Sequence, residues 1–273
     1  MKFITGAFIV LLCATVSLIV GFKHISAETV TTKAAFHTSF IKAAPPSRII
    51  NIPLPEGFTR VAAPAGSFAE WLENISLRKN NTVYLYNGQP IENQELHYAV
   101  LDISTGVKDL QQCADAIMRL KAEYYFSRHE YDKIVFIDGQ QKFSFGNWIK
   151  NADITQQKAH DTLLKFMEQV FINCGTYTVD AMTKPVALAD LQAGDIFVKA
   201  GAPGHAMIVV DVAQNTVGEK IYLLAQGYMP AQDMHIVINP LNLNLSPWYV
   251  VNSDKKIVTP GWIFTRTQLK RWK

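Results

Sequence analysis

Cysteine is scarce, three in 273 residues, and no spacing turns these thiols into a recognisable metal or redox centre. The chain has no Cys-x-x-Cys, no His-Glu-x-x-His, no glycine loop ending in Lys-Ser or Lys-Thr, and no Gly-x-Ser-x-Gly. These absences remove the signals of a dithiol oxidoreductase, a zinc peptidase, a phosphate-loop nucleotide site and a serine-hydrolase elbow. The seven histidines are scattered, so neither a metal nor a cofactor is expected. Charge is thin as well: 18% of residues are Asp, Glu, Lys or Arg, with a net charge of +3. Nucleic-acid binding needs a basic footprint, and nothing here supplies one.

What is present is a chain that is 49% hydrophobic, enough for a sizeable globular core. Its N-terminus differs from the rest. Lys2 precedes an uncharged run, Phe3 to Phe22, and Lys23 and His24 close it. Residues 1–27 read as an export signal cut after Ala27, or as an uncleaved membrane anchor through residues 3–22, since such a run spans about 30 Å as a helix. Either reading places the body outside the cytoplasmic membrane, periplasmic or extracellular. Without Lys2 and Lys23 the net charge of +3 becomes +1. Residues 28–47 are small, polar and proline-bearing, a linker, and residues 48–273 read as a single domain.

Within that domain Ser67 caps a helix over Phe68–Leu77, with Glu70 three positions on. Val83–Tyr86 and His97–Asp102 read as strands, and Asn87-Gly88 as a turn. Asp109, with Gln112 three residues later, predicts the cap of a helix running to about Phe126. On that helix Arg119 and Glu123 are spaced to pair. Tyr131–Ile137 reads as a strand, Phe143–Ile149 as an aromatic strand or loop, and Thr155–Phe171 as a helix. A short helix follows at Thr176–Met182, stopped by Pro185. From Gly194 onward the pattern is sheet: Ile196–Val198, the strand opened by His205, Ile221–Ala225, Met234–Ile238 and Trp262–Thr265.

The chemistry that remains is a cysteine followed by a histidine. A thiol near a helix N-terminus is acidified by free N–H groups and the helix dipole, and an imidazole can take its proton. Cys113, preceded by Gln111-Gln112, is the first candidate. Cys174 is the second, and the two can also be read as one disulfide or as core residues. His205 stands after a Gly-Pro turn at a strand mouth, either a base or a bridge between backbone groups. His235 and Asp233 form a competing pair two residues apart. Asp195 reads as shaping a turn, and Asp211 as the end of the histidine strand.

Gln112-Cys113-Ala-Asp-Ala, Gly194-Asp195-Ile-Phe-Val and Gly204-His205-Ala-Met-Ile-Val-Val-Asp resemble the papain-like amidases and peptidases of the CHAP and NlpC/P60 type. The resemblance implies a papain-like α+β fold, helices packed on a C-terminal antiparallel sheet, with Cys113 as nucleophile and His205 as base. By position Gln226 would orient the imidazole, an uncharged residue where an acid or asparagine is usual, and Gln112 would help hold the oxyanion. It also implies a cell-wall peptide such as peptidoglycan, or another envelope amide, as substrate, with Trp148, Tyr228 and Trp248 lining a cleft. A catalytically inactive envelope-binding domain is the alternative. Over most of the exported chain, segments such as Leu110-Gln-Gln-Cys-Ala-Asp-Ala-Ile-Met-Arg-Leu120 and Leu223-Leu-Ala-Gln-Gly-Tyr-Met-Pro-Ala-Gln-Asp233 resemble an uncharacterised bacterial family, domain of unknown function 4846. That resemblance brings no activity.

Overall fold

The computed structural model describes residues 46–150 and 156–273. The signal or anchor of 1–27, with Cys13, and nearly all of the 28–47 linker lie outside them. The described residues fall in one compact unit, 42–273. Among them no helix is long and apolar enough to cross a membrane.

Short elements come first: β1 (Phe58–Arg60) and α1 (Phe68–Glu73), whose cap Ser67 accepts from the Glu70 N–H at 3.2 Å. β2 (His97–Val100) precedes the long helix α2 (Cys113–Ser127). The hairpin β3 (Val135–Asp138) and β4 (Gln141–Ser144) leads into α3 (Phe145–Ile149), α4 (Gln156–Asn173) and α5 (Thr176–Ala181). After β5 (Thr183–Pro185) come β6 (Ile196–Lys199), β7 (His205–Asn215) and β8 (Lys220–Gln226). β9 (His235–Val237), β10 (Tyr249–Val250), β11 (Lys256–Thr259), β12 (Trp262–Thr265) and β13 (Leu269–Trp272) complete the chain.

The main sheet runs β2-β9-β8-β7-β6-β13-β5, with β1 added on β7 and β10 on β8. Its pairings are antiparallel, so the architecture is α+β, helices against an antiparallel sheet. β7 is its spine. A run of valine and isoleucine suits a strand covered on both sides, and its first nine residues are buried. Ala206, Ile208 and Val210 join the core that includes Ala114, Ile117 and Met118 of α2. Met207 and Val209 face the other way, onto Phe197, Leu224 and Phe264. A β-bulge between Val209 and Asp211 inverts this alternation, so Ala213 rejoins the helix side and Val212 the other. Burying each such aliphatic side chain contributes about 1.5–3 kcal/mol.

Several expectations are corrected. Asp211 does not end the histidine strand. It sits within β7 at 0% exposure, 2.8 Å from the Arg60 Nε. Val83–Tyr86 makes only isolated bridges, Tyr84 with Pro90 and Leu85 with Gln232. Phe143–Ile149 is the end of β4 followed by helix α3, because the Ser144 hydroxyl accepts from the Asn147 N–H and starts a turn. Trp262–Thr265 is not the last strand, since β13 follows it.

Asp195 does shape its turn, accepting from the Gln192 N–H at 2.9 Å, and it also ties β6 to β13. The Arg271 guanidinium donates to its two oxygens at 2.6 and 2.9 Å, and the carboxylate is wholly buried. Arg271→Ala would strand that charge. Urea unfolding is expected to show a loss of about 3 kcal/mol, whereas a loss under about 1 kcal/mol would mean the pair behaves as a surface bridge.

Candidate functional site

The site lies where the β7–β8 ladder ends, beyond Ile208 and Ala225. The first turn of α2 is wedged there. A Cβ on Gly227 would stand 3.1 Å from the Ala116 Cβ and 3.2 Å from the Gln112 carbonyl oxygen, so glycine lets the helix tip approach the sheet. Gly204 is confined more tightly. A Cβ there would meet the Gly201 carbonyl at 2.4 Å and the Lys199 carbonyl at 2.8 Å.

Gln112, not Asp109, is the cap of α2, which makes Cys113 the first helical residue. The Asp109 carboxylate instead accepts from the Ala231 N–H at 2.6 Å and from the Gln112 side chain at 3.3 Å. Asp115 closes the turn by accepting from the Gln112 N–H at 3.1 Å. Cys113 and Cys174 are both free thiols, so no crosslink joins them. The Cys113 sulfur is met by the Ala206 backbone N–H, one residue beyond His205.

Cys113, His205, Gln112, Asp115, Cys174, Tyr228 and Trp262 all line one cleft of about 720 Å³. The His205 ring is 5.1 Å from that of Tyr228, 5.3 Å from Trp262 and 5.9 Å from Phe264. Its Nε2 is 2.8 Å from the Gln226 Oε1. The sequence leaves open the register that sets this meeting, and the two side chains are not directly opposite each other. They meet instead on a diagonal: Ile208 opposite Ala225 sets Gln226 level with Met207, two residues from His205 on the same face.

Burial dominates the electrostatics. It pushes the Cys113 thiol above its ordinary range, with the Ala206 N–H opposing. It pulls His205 down to about 4, with the Gln226 hydrogen bond opposing. Asp115 is raised to about 8 by burial, and one of its oxygens has no hydrogen-bond partner. Cys174 is driven to about 11, again chiefly by burial. At neutral pH the cleft therefore holds an uncharged thiol and an uncharged imidazole.

The other expected cleft residues separate. Tyr228 is in the cleft. Trp148 is not: it stands on α3, 48% exposed, with its ring 5.7 Å from that of Phe166. Trp248 is core, 1% exposed, donating its indole N–H to the Pro53 carbonyl at 2.9 Å. Arg119 and Glu123 pair at 2.7 Å, as their spacing predicts. His235 and Asp233 do not form an acid–base pair through side chains. The His235 Nδ1 lies 2.9 Å from the Asp233 backbone oxygen, and the Asp233 carboxylate turns to Arg78 at 2.8 Å and the Tyr84 N–H at 3.0 Å.

Sequence reasoning missed Asp115 and Trp262 as cleft residues. The signal for Asp115 was an acid at the third helical position, which appears only once the cap is moved to Gln112. Trp262 gave none beyond its strand pattern. Among the described residues no cluster of three or more His, Cys, Asp or Glu is arranged to hold a metal.

No curated protein matches the chain, and no solved structure does either. A family model, described as domain of unknown function (4846), matches residues 50–271. The helix that carries Cys113, the strand that carries His205 and the sheet between them thus all fall inside one matched region, and the chain belongs to the domain of unknown function 4846 family.

Proposed function

We propose that this chain is a cysteine-dependent amide hydrolase of papain-like type, exported and acting on cell-envelope peptides such as those of peptidoglycan. One observation carries the reading: a free thiol at the first residue of α2 shares a cleft with a histidine whose Nε2 is held at 2.8 Å by an amide oxygen. Cysteine at a helix start, histidine at a strand mouth and a polar orienting residue on the next strand are the parts of a papain-like site. The export leader read in residues 1–27 supports the location, and the resemblance to CHAP and NlpC/P60 enzymes supports the substrate.

In this reading the Cys113 sulfur attacks the amide carbonyl carbon while the His205 Nδ1 takes the thiol proton. The oxyanion is met by the Cys113 N–H and the Gln112 side-chain amide. As the C–N bond breaks, His205 returns its proton to the leaving amine. Water then attacks the thioester as His205 takes its proton, and that proton passes to the sulfur as the C–S bond breaks, releasing the acid and restoring the Cys113 thiol. The cleft's lining holds the Asp109 carboxylate but no lysine or arginine, which favours a neutral or cationic group beside the scissile bond.

A ligand-binding domain without turnover is the second reading. It is favoured by a thiol only 8% exposed, raised by burial, and by an uncharged residue behind the histidine. Peptidoglycan-derived peptides separate the two. Amine release that stops when Cys113 is alkylated supports the hydrolase, and binding by calorimetry with no amine release supports the second reading.

The pH profile follows from His205. A base lowered to about 4 is neutral, and active, above that value. Initial rates are expected to hold between pH 5 and 7 and to fall as pH drops through about 4. An acid limb near 6.5, the ordinary imidazole range, would contradict this.

A further inference from the structure

A chain of hydrogen bonds runs behind His205 and ends on a backbone carbonyl, and that end determines the rest. The Asp233 carbonyl oxygen carries lone pairs only, so the His235 Nδ1, 2.9 Å away, must donate to it. His235 is 3% exposed, and burial lowers it to about 4, which leaves it neutral at pH 7. Its Nε2 is therefore an acceptor. The Gln226 Nε2 lies 3.1 Å from that atom and donates to it. This turns the Gln226 Oε1 toward the His205 Nε2 at 2.8 Å, so that nitrogen bears the proton. The lone pair is left on the His205 Nδ1. A reversed amide would place an oxygen against the His235 Nε2, require a proton there, and set a lone pair against the Asp233 carbonyl.

We propose that His235 is a positioning residue: acting through Gln226, it fixes which ring nitrogen of His205 carries the proton. The proposal rests on His205 being the base for Cys113, but its primary readout does not. The surroundings are built to hold His235 still. It sits in β9 opposite Gln226 of β8 on one side and Val100 of β2 on the other. The His97 ring packs edge-on against it at 5.7 Å. Asp233, which supplies the carbonyl, is itself pinned by Arg78, the Tyr84 N–H and the Thr105 hydroxyl.

Long-range proton–nitrogen NMR on histidine-labelled protein at pH 6.5 reads the tautomers directly. The wild type is expected to show His205 protonated at Nε2 and His235 at Nδ1, opposite forms in one protein. His235→Phe removes the acceptor but keeps a ring. His205 should then become a mixture of tautomers, and Cys113 alkylation should slow by about 10-fold. His235→Gln restores an acceptor and should bring the single tautomer and the rate back. Gln226→Glu offers two acceptors, so His235 should gain a second N–H at neutral pH. This variant keeps the proposal exposed to refutation if the Phe variant does not fold. A single unchanged His205 tautomer in His235→Phe, or Nε2 protonation of His235 in the wild type, overturns it. If the tautomers are as stated but Cys113 never reacts, the hydrolase reading fails while the positioning of His205 stands.

Discussion

Cys113→Ala is expected to abolish amine release from peptidoglycan-derived peptides, lowering the rate by at least roughly 10,000-fold. Alanine is a good helix former, and Cys113 is the first residue of α2, so the helix should persist. Ligand affinity is expected to stay within about threefold, because the substitution removes one sulfur and leaves the remaining cleft groups in place. Steady-state kinetics and calorimetry on the same preparation check both parts. Residual turnover within about 10-fold of the wild type would shift the nucleophile elsewhere. Cys174 is the poorer candidate: its thiol is raised to about 11, and it does not share Cys113's place at the helix start.

Asp115→Asn is the second large effect, and it appears in stability. The buried carboxyl titrates near 8 in the folded chain against 3.8 as its ordinary value. Between those values the folded chain holds a proton that the unfolded chain has released, so stability falls as pH rises from about 4 to about 8. Asparagine cannot ionise, yet its carbonyl still accepts the Gln112 N–H that caps the helix. The variant should therefore gain on the wild type by a few kcal/mol, on the order of the cost of ionising a buried acid, between pH 4.5 and pH 8. Urea midpoints at the two pH values give the difference. An equal offset at both would mean Asp115 is ionised throughout. His205 and His235, both lowered to about 4 by burial, act in the opposite sense, losing stability as pH falls from about 6.5 through 4. The comparison of variant with wild type cancels their contribution.

The sequence announced the spine of this fold better than its ends. β7 was legible because a Gly-Pro turn precedes an unbroken aliphatic run, and α4 because its apolar residues recur at helical spacing. The start of α2 falls three residues later than the sequence suggests, its cap at Gln112 and not Asp109. An aspartate with a glutamine three residues on imitates a cap, and only the structure shows Asp109 spent on Ala231, more than a hundred residues away. β13 was hidden because Lys270 and Arg271 look like solvent-facing charge, whereas they reach Asp180 and Asp195. Of the candidate site, the residue types were readable and the geometry was not. Gln226 could be named from its place on the next strand, but its diagonal meeting with His205 depends on a register that local sequence does not encode. His235 does meet Asp233, but at its backbone carbonyl and not its carboxylate, a contact that leaves no trace in the sequence. Trp248 shows the converse error, an aromatic assigned to a cleft that instead fills the core.

The proposed chemistry of this cleft depends on His205 activating Cys113. The most direct test is the rate of iodoacetamide labelling at pH 7, followed by mass spectrometry of the intact protein and its peptides, for the wild type and His205→Ala. Modification is expected at Cys113 well ahead of Cys174, slowed at least about 10-fold in the variant. Equal labelling rates in the two proteins, or a Cys113 that stays unmodified while the chain is folded, would contradict it.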